Sequence, residues 1–303
     1  MTSAGLLTVR ANLDQGSLVN IEVELRRPQV SQLFIGQRPD AVLKKVPYLY
    51  SLCSHAQQAA AQAAMAAAAG LQPNSVDNAS TWKEMLHENL WRLLLDWPPA
   101  LGLPPAKAAF IAWRSLRHSA DCANATQKLL AETMHGLADQ CLKRMGDPIH
   151  DVARAPVRLA PDEWLAYWQG HSTDLPAMLA PVSVRSAYLA RIAEVEAATM
   201  ALATGAPYPI AAVGNDGWAV AQTLTARGVL THAVHLADER VAAYRVWAPT
   251  DGFFADAGAL SRLLAGRQFA SASAAAAAAR QALEQAVLAL DPCLPFFMEL
   301  SDA

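Results

Sequence analysis

Residues 50–64, YSLCSHAQQAAAQAA, set a cysteine, Cys53, and a histidine, His55, ahead of a run of Ala and Gln. The run predicts a helix from about Leu52 to Gly70, built from the strongest helix former and stopped by glycine. A face of alanines lets another backbone approach closely, so this helix is expected to be central and buried. Cys53 opens it, where the unpaired N–H groups and the dipole of a first turn favour a thiolate. Cys293 falls just past the last predicted helix, in an Asp-Pro-Cys turn. Two cysteines at helix ends fit a metal or redox site. They also fit two small buried hydrophobes, and the residues alone leave both readings open.

On the N-terminal side, LLTVRANL and LVNIEVEL flank Asp14, Gln15 and Gly16, which predicts a β element over 5–27. Residues 29–47, with Gly36, Pro39 and Pro47, read as irregular. Beyond the Ala-rich helix, further helices are predicted at about 81–96, 104–118, 123–145, 161–169 and 183–204. GVLTHAVHL and RVAAYRVWAP then flank Ala237, Asp238 and Glu239 as a hairpin. A last helix, about 257–289, can break near Gly266 and ends before Pro292 and Pro295. The plan is α+β and predominantly helical: a helical core over 52–204, a C-terminal hairpin and helix over 227–293, and small antiparallel hairpins. We read 1–303 as a single domain, since no linker or internal repeat divides it.

The 303 residues are 53% apolar and 17% charged, enough for a sizeable core. A net charge of −3 gives no bulk attraction to nucleic acid or anionic lipid, and no basic run is interleaved with aromatics. No uncharged apolar run reaches a membrane span, so membrane insertion is not expected. The N-terminus lacks the basic and apolar regions of a signal peptide, which points to the cytoplasm, where thiols stay reduced. No C-x-x-C, catalytic triad or phosphate loop is present.

The cysteine segments carry more than spacing. YLYSLCSHAQ (48–57) and DPCLPFFME (291–299) resemble the two metal motifs of the nickel–iron hydrogenase large subunit, R-x-C-G-x-C-x-x-x-H and D-P-C-x-x-C-x-x-H. Cys53 and Cys293 keep one cysteine of each. Tyr48 stands for the Arg, Tyr50 and Phe296 for the other cysteines, and Gln57 and Glu299 for the histidines. FIGQRPDA (34–41), TARGVLTHAVHL (225–236) and VWAPTD (246–251) are similar to further family segments in the same order, and LLLDWP (93–98) more weakly so. The resemblance spans most of the chain and implies a large-subunit-like core around the Ala-rich helix.

In that family four thiolates hold nickel and an iron carrying cyanide and carbon monoxide. Tyr50 and Phe296 are not soft ligands, so no nickel is expected. The family's proton-carrying Glu has no counterpart, and hydrogenase activity is not expected. The pattern resembles hydrogenase maturation proteins of the HupK/HoxV type, for which the implied role is non-enzymatic. Such a protein would be a transient carrier of the Fe(CN)2(CO) unit towards the hydrogenase large subunit precursor. Its implied partners are a maturation chaperone of the small β-barrel type and the iron-cofactor assembly protein. The alternative is a metal-free large-subunit mimic that binds chaperones or the hydrogenase small subunit.

On this resemblance Cys53 and Cys293 are the iron ligands. Arg227 and Thr250, with Pro249 beside it, meet the cyanides, and Asp291 orients Arg227. The hairpin makes its own case: folding 229–236 on 240–247 about a centre between Asp238 and Glu239 sets Arg227 opposite Thr250. Other residues read as structural. His55 is expected on the exposed side of its helix, Cys122 and Cys141 in the core, and Trp164 and Trp168 as packing partners. His232 and His235, three apart on a strand, point to opposite faces. Asp96 fits equally a helix end near the site or a solvated surface.

Overall fold

The computed structural model describes residues 5–72, 75–145, 158–269 and 272–302. Seven strands run β1 (Leu6–Asp14), β2 (Ser17–Arg26), β3 (Ile210–Asn215), β4 (Trp218–Thr225), β5 (Gly228–Ala237), β6 (Arg240–Trp247) and β7 (Phe296–Asp302). The helices are α1 (Pro39–Leu49), α2 (Ser54–Ala68), α3 (Asn78–Trp91), α4 (Trp97–Ala100), α5 (Lys107–Leu116), α6 (Cys122–Leu129) and α7 (His135–Met145). They continue as α8 (Pro161–Trp168), α9 (Val184–Thr204), α10 (Pro249–Phe253), α11 (Gly258–Leu264) and α12 (Ala272–Leu290). Single π-turns at Arg92–Asp96 and Leu130–Met134 join α3 to α4 and α6 to α7. The α+β class and the helix positions agree with the sequence reading. Among the described residues no helix is long and apolar enough to cross a membrane.

The Ala-rich helix α2 is as buried as its composition requires. Ala60, Ala61 and Ala64 have no exposed surface, and the helix packs on β3, β4, β5, α1 and α3. Its small side chains let a strand come close: a Cβ added to Gly214 in β3 would stand 2.7 Å from the Ala67 carbonyl oxygen. At the other end Ala56 and Ala60 pack on Leu230 of β5 and on Ala248, with Cys53 and Val246 at the edge. That contact sets the start of α2 against the start of β5.

Four features depart from the sequence reading. Residues 29–47 are not irregular: a 3₁₀ turn (Val30–Phe34) leads into α1. Pro39 stands in the first turn of α1, where its missing N–H costs nothing, and Pro47 sits near its end. The C-terminal β element is a four-stranded sheet, β3-β4-β5-β6, rather than a hairpin. Its first turn was written in Asn215-Asp216-Gly217, with positive φ at Asp216 and Gly217, but its strands are rich in Ala and Gly, which have little strand preference. The N-terminal sheet is mixed rather than a simple antiparallel hairpin, because β7 adds parallel to β1 with Leu7 opposite Phe296. Finally, a bulge at His235/Leu236 shifts the β5–β6 register.

The closed packing of α2 gives the first prediction. Ala60→Leu overfills a site with no free surface and should lower unfolding free energy by about 1–3 kcal/mol. Chemical denaturation measures it, with Gln58→Leu at a half-buried position of the same helix as the comparison.

Candidate metal-cargo site

Five of the six residues singled out in the sequence line one cleft of roughly 740 Å3: Cys53, Arg227, Pro249, Thr250 and Cys293. The sixth, Asp291, is buried behind it, two residues before Cys293 in sequence. Four parts of the fold converge to make the cleft. The α1–α2 junction brings Cys53, the β4–β5 turn brings Arg227, α10 brings Pro249 and Thr250, and the segment after α12 brings Cys293. Both cysteines are free thiols.

Arg227 and Thr250 do not meet as a cross-strand pair. The bulge displaces the register by one residue, Thr231 pairs with Trp247, and β6 ends there before Pro249 opens α10. The two side chains reach the cleft from different elements instead. Gly228, at φ +132°, has the backbone freedom this turn needs, and it sits against Pro249, whose Cγ an added Cβ would meet at an ordinary contact distance of 3.4 Å.

The Arg227 guanidinium is almost fully buried yet incompletely used. Its Nη2 donates to Glu88 Oε2 at 2.8 Å. Its Nε lies 3.5 Å from Asp291 Oδ2, and neither Nε nor Nη1 makes a hydrogen bond. Thr250 is fully buried, and its hydroxyl oxygen accepts the Cys293 N–H at 3.1 Å. Among the described residues nothing accepts the hydroxyl's own proton. The cleft therefore offers an orphaned guanidinium N–H and a free hydroxyl donor beside two thiols. Donors of this kind suit a hydrogen-bond-accepting ligand on a metal held by those thiols.

Asp291 is the hub behind the cleft. Held at φ +47° after the last turn of α12, it accepts Arg92 Nε at 2.7 Å and Arg191 Nη2 at 2.6 Å. Burial opposes its charge, but the three surrounding guanidiniums hold its pKa far below the ordinary carboxylate range. Its bonds to Arg92 and Arg191 are shorter than its contact with Arg227, which Glu88 grips directly. Burial works against the Glu88 charge too, but His87 and Arg227 keep its pKa low. Asp96 pairs with Arg92, one step further from the cleft.

At Cys53 the expectation of a dipole-favoured thiolate fails. Glu84 on α3 takes up the first N–H groups of α2, accepting His55 N at 2.9 Å and Ala56 N at 3.0 Å. A carboxylate thus occupies the end of the helix where a thiolate would gain. Desolvation, opposed by Arg227 and helped by Glu84, pushes the Cys53 thiol up to about 12. Behind the sulfur runs a buried relay. Gln57 Nε2 donates to Cys53 Sγ at 3.5 Å, and Gln57 Oε1 takes the Nε2–H of His232 at 2.8 Å. His232 Nδ1 in turn accepts the Tyr244 hydroxyl at 2.7 Å. Burial pushes the His232 pKa down to about 3, so the ring is neutral and the tautomer is fixed by these partners.

Of the positions that depart from the hydrogenase motifs, Phe296 and Glu299 stand outside the cleft lining. Phe296 packs against the main core, and Glu299 is an exposed strand residue that pairs with Arg10 at 2.7 Å. Tyr50 lines the cleft, and burial raises its phenol pKa, keeping it neutral. His55 is exposed, while Cys122 and Cys141 are in the core. His232 is buried on α2, whereas His235 stacks on Trp218 with centroids 3.9 Å apart. Sequence reasoning missed Arg27, Glu84, Glu88, Arg92 and Arg191. Their helices read as generic packing elements, and Arg27 follows β2 with no motif around it.

Two thiols, an orphaned guanidinium and a buried carboxylate hub thus gather at one place in an α+β, predominantly helical frame. The chain belongs to the family of hydrogenase expression/formation proteins of the HupV/HupK/HoxV type. It is 30% identical to the hydrogenase expression/formation protein HupV of Azotobacter chroococcum mcd 1, covering 99% of this chain and 100% of that one. Its identity with HupK of Azotobacter vinelandii is 29%, over 99% of this chain and 100% of the relative. No family model matches the chain. Among solved structures, an NAD+-reducing NiFe-hydrogenase in the H2-reduced state aligns at 14% identity and a TM-score of 0.45, covering 92% of this chain and 93% of that one. That likeness is too loose to carry residue roles.

The hub generates a stability prediction. Asp291→Asn leaves three clustered guanidiniums without their shared carboxylate and should destabilise the fold by about 3–5 kcal/mol. The folded pKa of Asp291 lies below its unfolded value. Its contribution is therefore complete above pH ~4 and is lost as pH falls from there towards the folded value. Denaturant titrations across pH 2–7 should show a steeper acid loss in the parent chain than in Asp291→Asn.

Proposed function

We propose that this chain works in hydrogenase maturation as a transient, non-enzymatic carrier of the Fe(CN)2(CO) unit. The family supports the maturation setting, since its members are named for hydrogenase expression and formation. The observation that carries the finer reading is the orphaned Arg227 Nη1, which shares a cleft with Cys53, Cys293 and Thr250. Iron(II) would bind as each thiol loses its proton to solvent and each sulfur forms one Fe–S bond. Arg227 Nη1 and the Thr250 hydroxyl would donate to the cyanide nitrogens. Gln57 would donate to the Cys53 sulfur and steady it. Two thiolates make an open ligand set, and an incoming thiolate from a recipient could displace them. Nickel would find no second pair of thiolates. On this reading the core is built like that of a hydrogenase large subunit. The recipient is then the large subunit precursor, and the donors are a small β-barrel chaperone and the iron-cofactor assembly protein.

A rival reading, a metal-free mimic, draws on the cleft mouth, where Tyr48 is 86% and Leu33 59% exposed. Those side chains would suit partner docking with or without cargo.

Infrared spectroscopy separates the two. Protein purified from cells that also produce the maturation machinery should show cyanide and carbonyl bands and about one iron per chain. Cys53→Ala and Cys293→Ala should each remove the bands. An absence of bands in the parent, or their survival in both variants, sinks the carrier role. Arg227→Lys should keep the bands but move the cyanide frequencies, because a point-charge ammonium replaces the planar donors.

A further inference from the structure

Arg27, the residue after β2, has no place in the hydrogenase motifs. It lines the same cleft as Arg227, and these two arginines are the only charged residues among the lining residues. We propose that Arg27 is a second cationic clamp on the cargo, resting on the carrier reading above. The iron(II) dicyanide carbonyl unit is neutral alone and becomes a dianion once two thiolates hold it. A cleft for that complex needs positive charge with spare donors and no facing carboxylate.

Arg27 meets this description. Its Nη1 donates to Asp251 Oδ1 at 2.7 Å, and among the described residues the rest of the guanidinium makes no hydrogen bond. Asp251 is itself fixed, since its Oδ2 accepts the Ala248 N–H at 2.9 Å, in the turn that presents Thr250. The carboxylate thus anchors Arg27 from outside the cleft lining and leaves its remaining N–H groups available. Arg27 stays charged, paired with the Asp251 carboxylate. Arg227 and Arg27 line the same cleft as Cys53 and Cys293, so the two cations would reach the cargo from different elements of the fold. The same ion pair has a purely structural explanation, that Arg27 ties β2 to α10. The test must separate the two.

Two full-length variants, each co-produced with the maturation machinery, do so: Arg27→Met and Arg27→Lys. Arg27→Met should lower iron-loaded protein by about tenfold and shift the cyanide bands of the remainder. Arg27→Lys should restore most of the loading with shifted bands. If Arg27→Met carries the parent's bands at the parent's occupancy, the clamp is overturned while the carrier reading stands. If Arg27→Met loads less but its remaining bands keep the parent's frequencies, Arg27 does not touch the cargo, its role is structural and the clamp is again overturned. A parent chain without bands overturns both.

Discussion

The carboxylate of Asp291 is the point on which the site depends. It is almost completely buried and accepts Arg92 from the end of α3 and Arg191 from α9, with Arg227 from the β4–β5 turn in ion-pair range. Three guanidiniums that close together would repel one another, and each carries a desolvation cost. One shared anion, with Glu88 as a second, makes the cluster possible. It also ties four segments distant in sequence to one spot and so fixes the floor on which the two thiols stand. Cys293 follows Asp291 by two residues, so the hub that holds the arginines also sets where this sulfur lies.

Buried charge of this kind is poor evidence for stability and better evidence for position. An apolar cluster could fill the same space at lower cost. What it could not supply is a cleft-lining guanidinium with unused N–H groups. Arg227 is buried, charged and only partly satisfied, a costly state unless something else takes up the spare donor. The neutral His232–Gln57 relay works in the same direction from the other side, presenting an N–H to Cys53 rather than a charge.

Legibility in the sequence divides along physical lines. The cysteines, Arg227, Thr250 and Asp291 were found because short-range spacing brought them into recognisable segments, and the Ala run of α2 declared its own burial. Glu84, Glu88, Arg92 and Arg191 were not, because their roles arise from tertiary packing across 28 to 199 residues of chain. Nothing local distinguishes a carboxylate that will cap another helix from one that will face water. The Arg227–Thr250 pairing shows the opposite error. Both residues line one cleft, but not through the strand register, which one bulge at His235/Leu236 cancels. β7 escaped for a similar reason: a parallel pairing with β1 is specified by partners almost the whole chain apart.

The helix end at Cys53 shows how the tertiary context inverts a local rule. An isolated N-terminal cysteine gains from the exposed N–H groups and the helix dipole. Here Glu84 has already taken those N–H groups, and the half-buried sulfur sits beside a neutral amide. The protonated form is therefore favoured until a cation arrives. A thiol kept protonated is a poor nucleophile and a poor partner for adventitious oxidation. It is also a ligand whose engagement is conditional on a metal strong enough to displace its proton. Burial is the larger cause of that protonation, and the Glu84 carboxylate adds to it. The end of α2 is capped for folding, and the same cap withholds from the thiol the N–H groups that would favour its ionised form.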